Sequence, residues 1–244
     1  MSTLFAFGCS FTEEFHDTPY QSLQRKYVQE FLNNEYPDAW PTILAKKIKF
    51  NVKNYGHGGI SNNEIFDRVC SHCDEFKRGD IVIVGWTNRN RFRWAKPEEN
   101  GGGWFHVLSS YVSEENINHL INKNTLIDIL VNREDYVYID EIYKFQKILD
   151  ELSKSVGFDV YYWAIDNILI NKLDKNLLIN KKYLCTDLYN DNICNIHNCV
   201  TFNGGSTIET HTKGMISDSH LSKDGHIVQA KLFYEHIKKY QDIT

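Results

Sequence analysis

The sequence predicts a doubly wound α/β fold, on three observations. Strand and helix signals alternate along the chain, which is the order of a parallel sheet covered by helices. The run "DIVIVGW" at Asp80–Trp86 is apolar on both faces, as a parallel strand buried from both sides should be. The first strand, "TLFAFG", breaks at Gly8 and delivers Cys9, Ser10 and Thr12 in quick succession. That places small polar side chains at a strand's carboxyl end, where open α/β sheets carry their chemistry.

The elements follow in order. After the first strand, an acidic and aromatic segment over 13–36 reads as an insertion, helical around Leu23 to Leu32. "DAWPTILAKKIKF" gives a helix with Asp38 as N-cap and Leu44 and Ile48 on one face. "NVKNYG" is a short second strand, and "SNNEIFDRVCSHCDEF" is a helix opened by Ser61. "DIVIVGW" is the third strand. An aromatic loop with a Gly101-Gly102-Gly103 hinge and an asparagine-rich helical region fill a second insertion, 89–132. "EDYVYIDEIYKFQKILDELSKSVG" is a long amphipathic helix closed by Gly157. "FDVYYWAI" is strand four, 166–189 is mixed and partly helical, and "CVTF" at Cys199–Phe202 is a fifth strand. The last helix, "KDGHIVQAKLFYEHIKKY", is assigned a face of Ile227, Ala230, Leu232 and Ile237. Neither a linker nor a repeat interrupts this, so residues 1–244 are read as one domain with a sheet of about five strands.

Bulk properties narrow the function classes. At 244 residues the chain supports one sizeable core. Its net charge is −5 with scattered basic residues, which gives no nucleic-acid footprint, and no apolar run is long enough to span a bilayer. No basic, secretory-type segment stands ahead of Leu4, so a reducing cytoplasm is the expected compartment, with export by another route or carriage on a phage particle left open. Cys9, Cys70, Cys73, Cys185, Cys194 and Cys199 are then free thiols. "CSHC" and "CNIHNC", with His72 and His197, have some of the makings of a zinc site. Cys70 and Cys73 fit i and i+3 of one helix, however, and the second pair lacks a knuckle's spacing. Buried thiols are the simpler reading, and no metal is expected. Aromatic residues make up 14% of the chain, which suits either a groove for a sugar or acyl chain or a well-filled core.

Four short stretches fall at strand or helix ends. "GCSFT" holds Ser10. "NYGHGGISN", Asn54–Asn62, is a glycine-rich loop running into a helix N-terminus, where amides and the helix dipole favour developing negative charge. "GWTNRNRF" offers Thr87 and Asn88, and "SDSHLSKDGH" offers Asp218 and His220 before the last helix. Each has a bland rival. Ser10 suits a helix cap, the glycines a turn, Asp218 a cap and His220 the surface. His226 competes as a base, but "DGH" at a helix start reads as a cap followed by a packing residue.

Taken together and in this order, the four stretches resemble the SGNH, or GDSL-type, hydrolases. The resemblance implies a flavodoxin-like three-layer α/β/α fold and a serine esterase. "GCSFT" is similar to the first block, with cysteine where aspartate often precedes the serine, and makes Ser10 the nucleophile. "NYGHGGIS" resembles the second block, whose later glycine maps onto Gly59 as an oxyanion-hole amide beside that of Ser10. "DSHLSKDGH" resembles the fifth, making His220 the base and Asp218 its orienter. The third block departs from the pattern. The oxyanion asparagine normally stands two residues after a glycine, whereas Gly85 is followed by Trp86, Thr87 and then Asn88. Either Asn88 reaches the hole through a bulge, or Thr87 or a backbone amide takes its place. About thirty residues carry the resemblance.

The resulting expectation is a cofactor-free acyl or acetyl esterase acting on a small-molecule or carbohydrate ester. Trp86, Phe92, Trp94, Trp104 and Phe105 would wall its pocket. An O-acyltransferase with the same triad is the nearest alternative, and an inactive binding module on this fold the other. Ser10 and a His220 nitrogen are expected to approach to about 3 Å. The oligomeric state is not read from the sequence.

Overall fold

The computed structural model describes residues 1–17, 21–87, 91–95, 104–107, 135–164 and 207–239. Its centre is a parallel sheet in the order β2-β1-β3-β6. Strand β1 is Thr3–Gly8, β2 Asn51–Gly56, β3 Ile81–Trp86 and β6 Asp159–Ala164. Thr3 pairs with Asn51, Leu4 with Ile81, and Ile81 with Asp159, so the four strands run in step and their carboxyl ends form one rim. Strand order reverses about β1, and the crevice between the ends of β1 and β3 is the switch point at which such sheets bind ligands. The expected fifth strand, Cys199–Phe202, lies outside the described residues.

Alternation along the strands sorts the core into two layers. Leu4, Ala6, Ile81, Ile83, Tyr161 and Trp163 face the helices α2 (Trp40–Ile48) and α6 (Lys223–Lys238). Phe5, Phe7, Val82, Val84, Val160 and Tyr162 face α3 (Asn62–Ser71) and α4 (Asp135–Val156). The result is a three-layer α/β/α arrangement. Side chains such as Leu4, Phe7 and Ile83 are wholly buried, each contributing roughly 1.5–3 kcal/mol of transfer free energy. Glycine at 85 is required by this packing: a Cβ there would come within 2.5 Å of the Trp163 indole.

Helix α1 (Ser22–Phe31) lies within the 13–36 segment and presents Tyr27 and Val28 to Ile208 and Ile216, around the short helix α5 (Ile208–His211). The loop that follows α5 is thereby buttressed by α1.

Several expectations need correction. The segment after β3 was expected to be a loop, but it contains an antiparallel pair, β4 (Phe92–Ala95) with β5 (Trp104–Val107). Asp38 does not cap α2. The cap position is Ala39, whose amide donates to Glu14 Oε2 at 2.9 Å, while Asp38 pairs with Lys46. A distant carboxylate thus meets the positive end of the helix in place of a local one. Helix α6 buries His226, Gln229, Ala230, Phe233, His236 and Ile237, whereas Ile227 is 47% exposed. Trp86 belongs to the core beside Tyr162 rather than to a pocket wall. Cys70 is exposed at the end of α3, not buried, and among the described cysteines Cys9 is the buried one. Among the described residues no group of three or more His, Cys, Asp or Glu is arranged to hold a metal; Cys185, Cys194, Cys199 and His197 lie outside them. No described helix is long and apolar enough to cross a membrane.

Candidate active site

Immediately after β1 the chain makes one helical turn, with Thr12 N and Glu13 N both donating to Cys9 O at 2.8 and 3.2 Å. This turn lifts Ser10 onto the rim, half-buried. Gly8 is needed here because Thr12 folds back over it: a Cβ at residue 8 would sit 2.2 Å from Thr12 Oγ1. Gly56, at the end of β2, is needed for the same turn, since a Cβ would lie 2.5 Å from Glu13 N. Asn54 ties the two together, its Nδ2 donating to Thr12 O at 2.7 Å and its Oδ1 accepting from Gly56 N at 2.9 Å.

From the other end of the chain, the loop between α5 and α6 delivers a histidine and an aspartate. It is pinned to α5 by Ile208 N donating to His220 O and Glu209 N donating to Asp218 O, both at 2.9 Å. Ser222 then caps α6, its hydroxyl accepting from Gly225 N at 3.2 Å. Tyr27 of α1 accepts from Lys223 N at 3.3 Å, a further support from the 13–36 segment.

The structure brings Ser10, His220 and Asp218 together across 210 positions of sequence. Ser10 Oγ lies 2.8 Å from His220 Nε2, and His220 Nδ1 lies 2.5 Å from Asp218 Oδ1. Asp218 Oδ1 also accepts from the amide of His220 at 2.9 Å. The imidazole tilts against Phe11, with ring centroids 5.0 Å apart. Asp218 is only 7% exposed. Burial by itself would raise its pKa, but the hydrogen bonds and positive charge of His220 outweigh that and hold it below the usual carboxylate value. The aspartate is thus an anion that fixes the histidine with Nδ1 toward it and Nε2 toward the serine.

His226, the rival base, does not meet Ser10. It is buried against Phe15, and its Nδ1 accepts from Trp40 N at 3.1 Å, at the start of α2. Burial, with the nearby His220, depresses its pKa to about 3, so it is a neutral structural acceptor.

The glycine-rich loop leads from β2 into α3, where Ser61 Oγ accepts from Glu64 N. Gly59 has φ +77°, the left-handed region that favours glycine, and an ideal Cβ there would have nothing within 4 Å. Neither the Ser10 amide nor the Gly59 amide has a hydrogen-bond acceptor among the described residues. Asn88 lies outside the described residues, so its expected place in the oxyanion hole is not seen. Thr87 is fully buried and its hydroxyl has no hydrogen-bond partner among the described residues.

What the sequence did not suggest is a clamp on Thr87. Asn62 binds both of its backbone groups, with Oδ1 accepting from Thr87 N at 2.7 Å and Nδ2 donating to Thr87 O at 3.1 Å. Tyr138 from α4 donates to the same carbonyl at 2.6 Å and accepts from Asn62 Nδ2 at 3.1 Å. The carboxamide substitutes for a neighbouring strand, and it fixes the last backbone position before Asn88. An asparagine in the first turn of a helix and a tyrosine on an amphipathic helix are ordinary residues, and nothing in their spacing announces the link.

Glu13, Glu14, Gln21 and Gln24 join Ser10 and His220 around a small cleft.

No family model matches this chain, and no curated protein does. Among solved structures, it is similar to one provisionally described as a lipolytic protein of the G-D-S-L family from Desulfitobacterium hafniense DCB-2. Identity is 12% and the TM-score 0.48, over 97% of this chain and 99% of that one. It is also similar to a member of the lipolytic protein G-D-S-L family from Veillonella parvula DSM 2008, at 17% identity and a TM-score of 0.42, over 96% and 97% of the two chains. Both are described as members of the family that the motif order resembles.

Proposed function

We propose that this chain is a serine esterase of the SGNH type. The observation that carries the proposal is the continuous hydrogen-bonded line from Ser10 through His220 to a buried, anionic Asp218. Ser10 Oγ attacks the ester carbonyl while His220 Nε2 takes its proton, and Asp218 stabilises the imidazolium and its orientation. The amides of Ser10 and Gly59 hold the oxyanion, with a third donor from the segment that begins at Thr87, Asn88 being the first candidate. Collapse of the tetrahedral intermediate breaks the ester bond, and His220 returns the proton to the leaving alcohol. Water then attacks the acyl-enzyme with His220 acting again as base, and collapse breaks the bond to Ser10 Oγ, which recovers its proton from His220 as the acid leaves. Nucleophile and base are both side chains, so no cofactor enters the scheme. The substrate is an acyl or acetyl ester of a small molecule or carbohydrate.

Labelling with a fluorophosphonate probe tests the proposal. The native chain is expected to be labelled at Ser10 and to hydrolyse p-nitrophenyl acetate, and the Ser10→Ala variant to do neither. Undiminished hydrolysis by Ser10→Ala would overturn it, since no serine-nucleophile mechanism survives that change.

A further inference from the structure

The cleft beside Ser10 is walled by the 13–36 segment, and its polar groups are not equivalent. Glu14 is fully engaged: its carboxylate accepts from Ala39 N at 2.9 Å, Thr42 Oγ1 at 2.7 Å and Asn54 Nδ2 at 3.1 Å. Gln21 is engaged too, accepting from His16 N at 2.6 Å and donating to Glu14 O at 3.2 Å. Glu13 pairs with His57 Nδ1 at 3.3 Å. Gln24 alone of these four has a carboxamide with no hydrogen-bond partner among the described residues.

Its position makes that unexpected. Gln24, Tyr27, Val28 and Phe31 stand at i, i+3, i+4 and i+7 of α1, the spacing of one helix face. Tyr27 and Val28 are wholly buried and Phe31 packs beside them, so Gln24 occupies a place on the inward stripe. The adjacent Leu23 is 46% exposed. An amide thus faces inward, half-buried and unpaired, while an apolar neighbour faces water. A half-buried carboxamide that bonds no other protein group keeps both its donor and its acceptor for a ligand.

The reacting groups indicate which part of a substrate would bring that partner. His220, which must hand its proton to the leaving alcohol, lines the cleft with Gln24 and Ser10, whereas Gly59, on the far side of the oxyanion hole in the proposed mechanism, does not. The cleft therefore receives the alcohol half of the ester. Methylenes of an acyl chain would gain little where Phe15 and Leu221 stand among carboxylates, amides and imidazoles. Hydroxyl groups, which both donate and accept, match a carboxamide and its acidic neighbours.

We infer that Gln24 is a specificity-determining residue that binds a hydroxyl of a polyhydroxy alcohol leaving group. The inference rests on the esterase reading above and assigns the alcohol side of its site. A site built to hydrogen-bond a hydroxyl discriminates against an analogue that lacks it.

The test compares kcat/KM for a monoacetylated methyl glucoside with that for cyclohexyl acetate, a ring of similar size without hydroxyls. The native enzyme is expected to favour the glucoside ester, and Gln24→Leu to lower the ratio by about tenfold, one hydrogen bond's worth. Unacetylated methyl glucoside, as a competitive inhibitor of p-nitrophenyl acetate hydrolysis, should weaken in Gln24→Leu by a similar factor. A purely structural role for Gln24 would move neither the ratio nor the inhibition constant. A native preference for cyclohexyl acetate, or a ratio unchanged in Gln24→Leu, overturns the inference while leaving the esterase in place. Failure of Ser10-dependent p-nitrophenyl acetate hydrolysis removes the esterase reading and this subsite with it.

Discussion

If Ser10 and His220 act in one proton-coupled step, as proposed, their substitutions should behave accordingly. Ser10→Ala and His220→Ala are each expected to lower turnover by several orders of magnitude. The double variant should be little worse than either alone, because the second change removes a partner already disabled. Measured kcat values that multiplied independently would show that the two residues do not share a step. Asp218→Asn should also be costly, because the amide no longer favours the tautomer with Nδ1–H toward residue 218. Dialysis against a strong chelator should leave activity intact. Activity lost there and restored by added zinc would instead direct attention to the cysteine and histidine pairs.

Between elements, the clamp on Thr87 offers a separate test. Asn62 from α3 and Tyr138 from α4 hold the carboxyl end of β3 through groups that are almost wholly buried. Removing the carboxamide in Asn62→Ala leaves Thr87 N and O without that partner, a loss of about 1–3 kcal/mol of stability. If the next residue supplies an oxyanion donor, kcat should fall by more than the change in KM, and Tyr138→Phe should show a smaller effect of the same kind. Equal melting temperatures for Asn62→Ala and the native protein would show that the clamp bears no load. This clamp also marks where sequence reasoning stopped. Strands β1, β3 and β6 were legible because apolar runs end on glycine or meet turn residues, β2 because a short segment between two helix signals ends at Gly56, and α4 because its amphipathic period persists to Gly157. The inward stripe of α6 was misread because it carries His226, Gln229 and His236, while Ile227 points outward. Hydrophobicity alone finds Ala230 and Ile237 on that stripe but misses its three polar members. The β4–β5 pair was missed because its strands are only four residues each, too short for a clear alternation. The convergence of Ser10, Asp218 and His220 was legible from their motifs. The place of Gln24 beside them was not, since one amide in a helical stripe reads as a surface residue until the neighbours of that stripe are known.

At the scale of the whole molecule, the turn after β1 and the loop that leads into α6 supply the two ends of the Ser10–His220 contact, and the packing of α2 on α6 helps to hold them in register. His226 is the polar fastening of that packing. It lies six residues beyond His220, and its Nδ1 receives the Trp40 amide at the head of α2. Because the native pKa is depressed to about 3 from an ordinary 6.5, the folded state refuses a proton that the unfolded chain accepts. The stabilisation is complete above pH 6.5 and is lost as pH falls from there toward 3, by up to about 1.4 kcal/mol per pH unit. Asp218, whose folded pKa lies below 3.8, keeps its own contribution until lower pH, so the two effects separate between pH 6.5 and 4. Urea unfolding at pH 7, 6 and 5 checks this. The native protein should lose stability across the series. His226→Gln retains an acceptor for the Trp40 amide but has nothing to titrate, so it should start less stable at pH 7 and decline less steeply. Parallel slopes in the two proteins would mean that His226 is not the group that takes up the proton on unfolding.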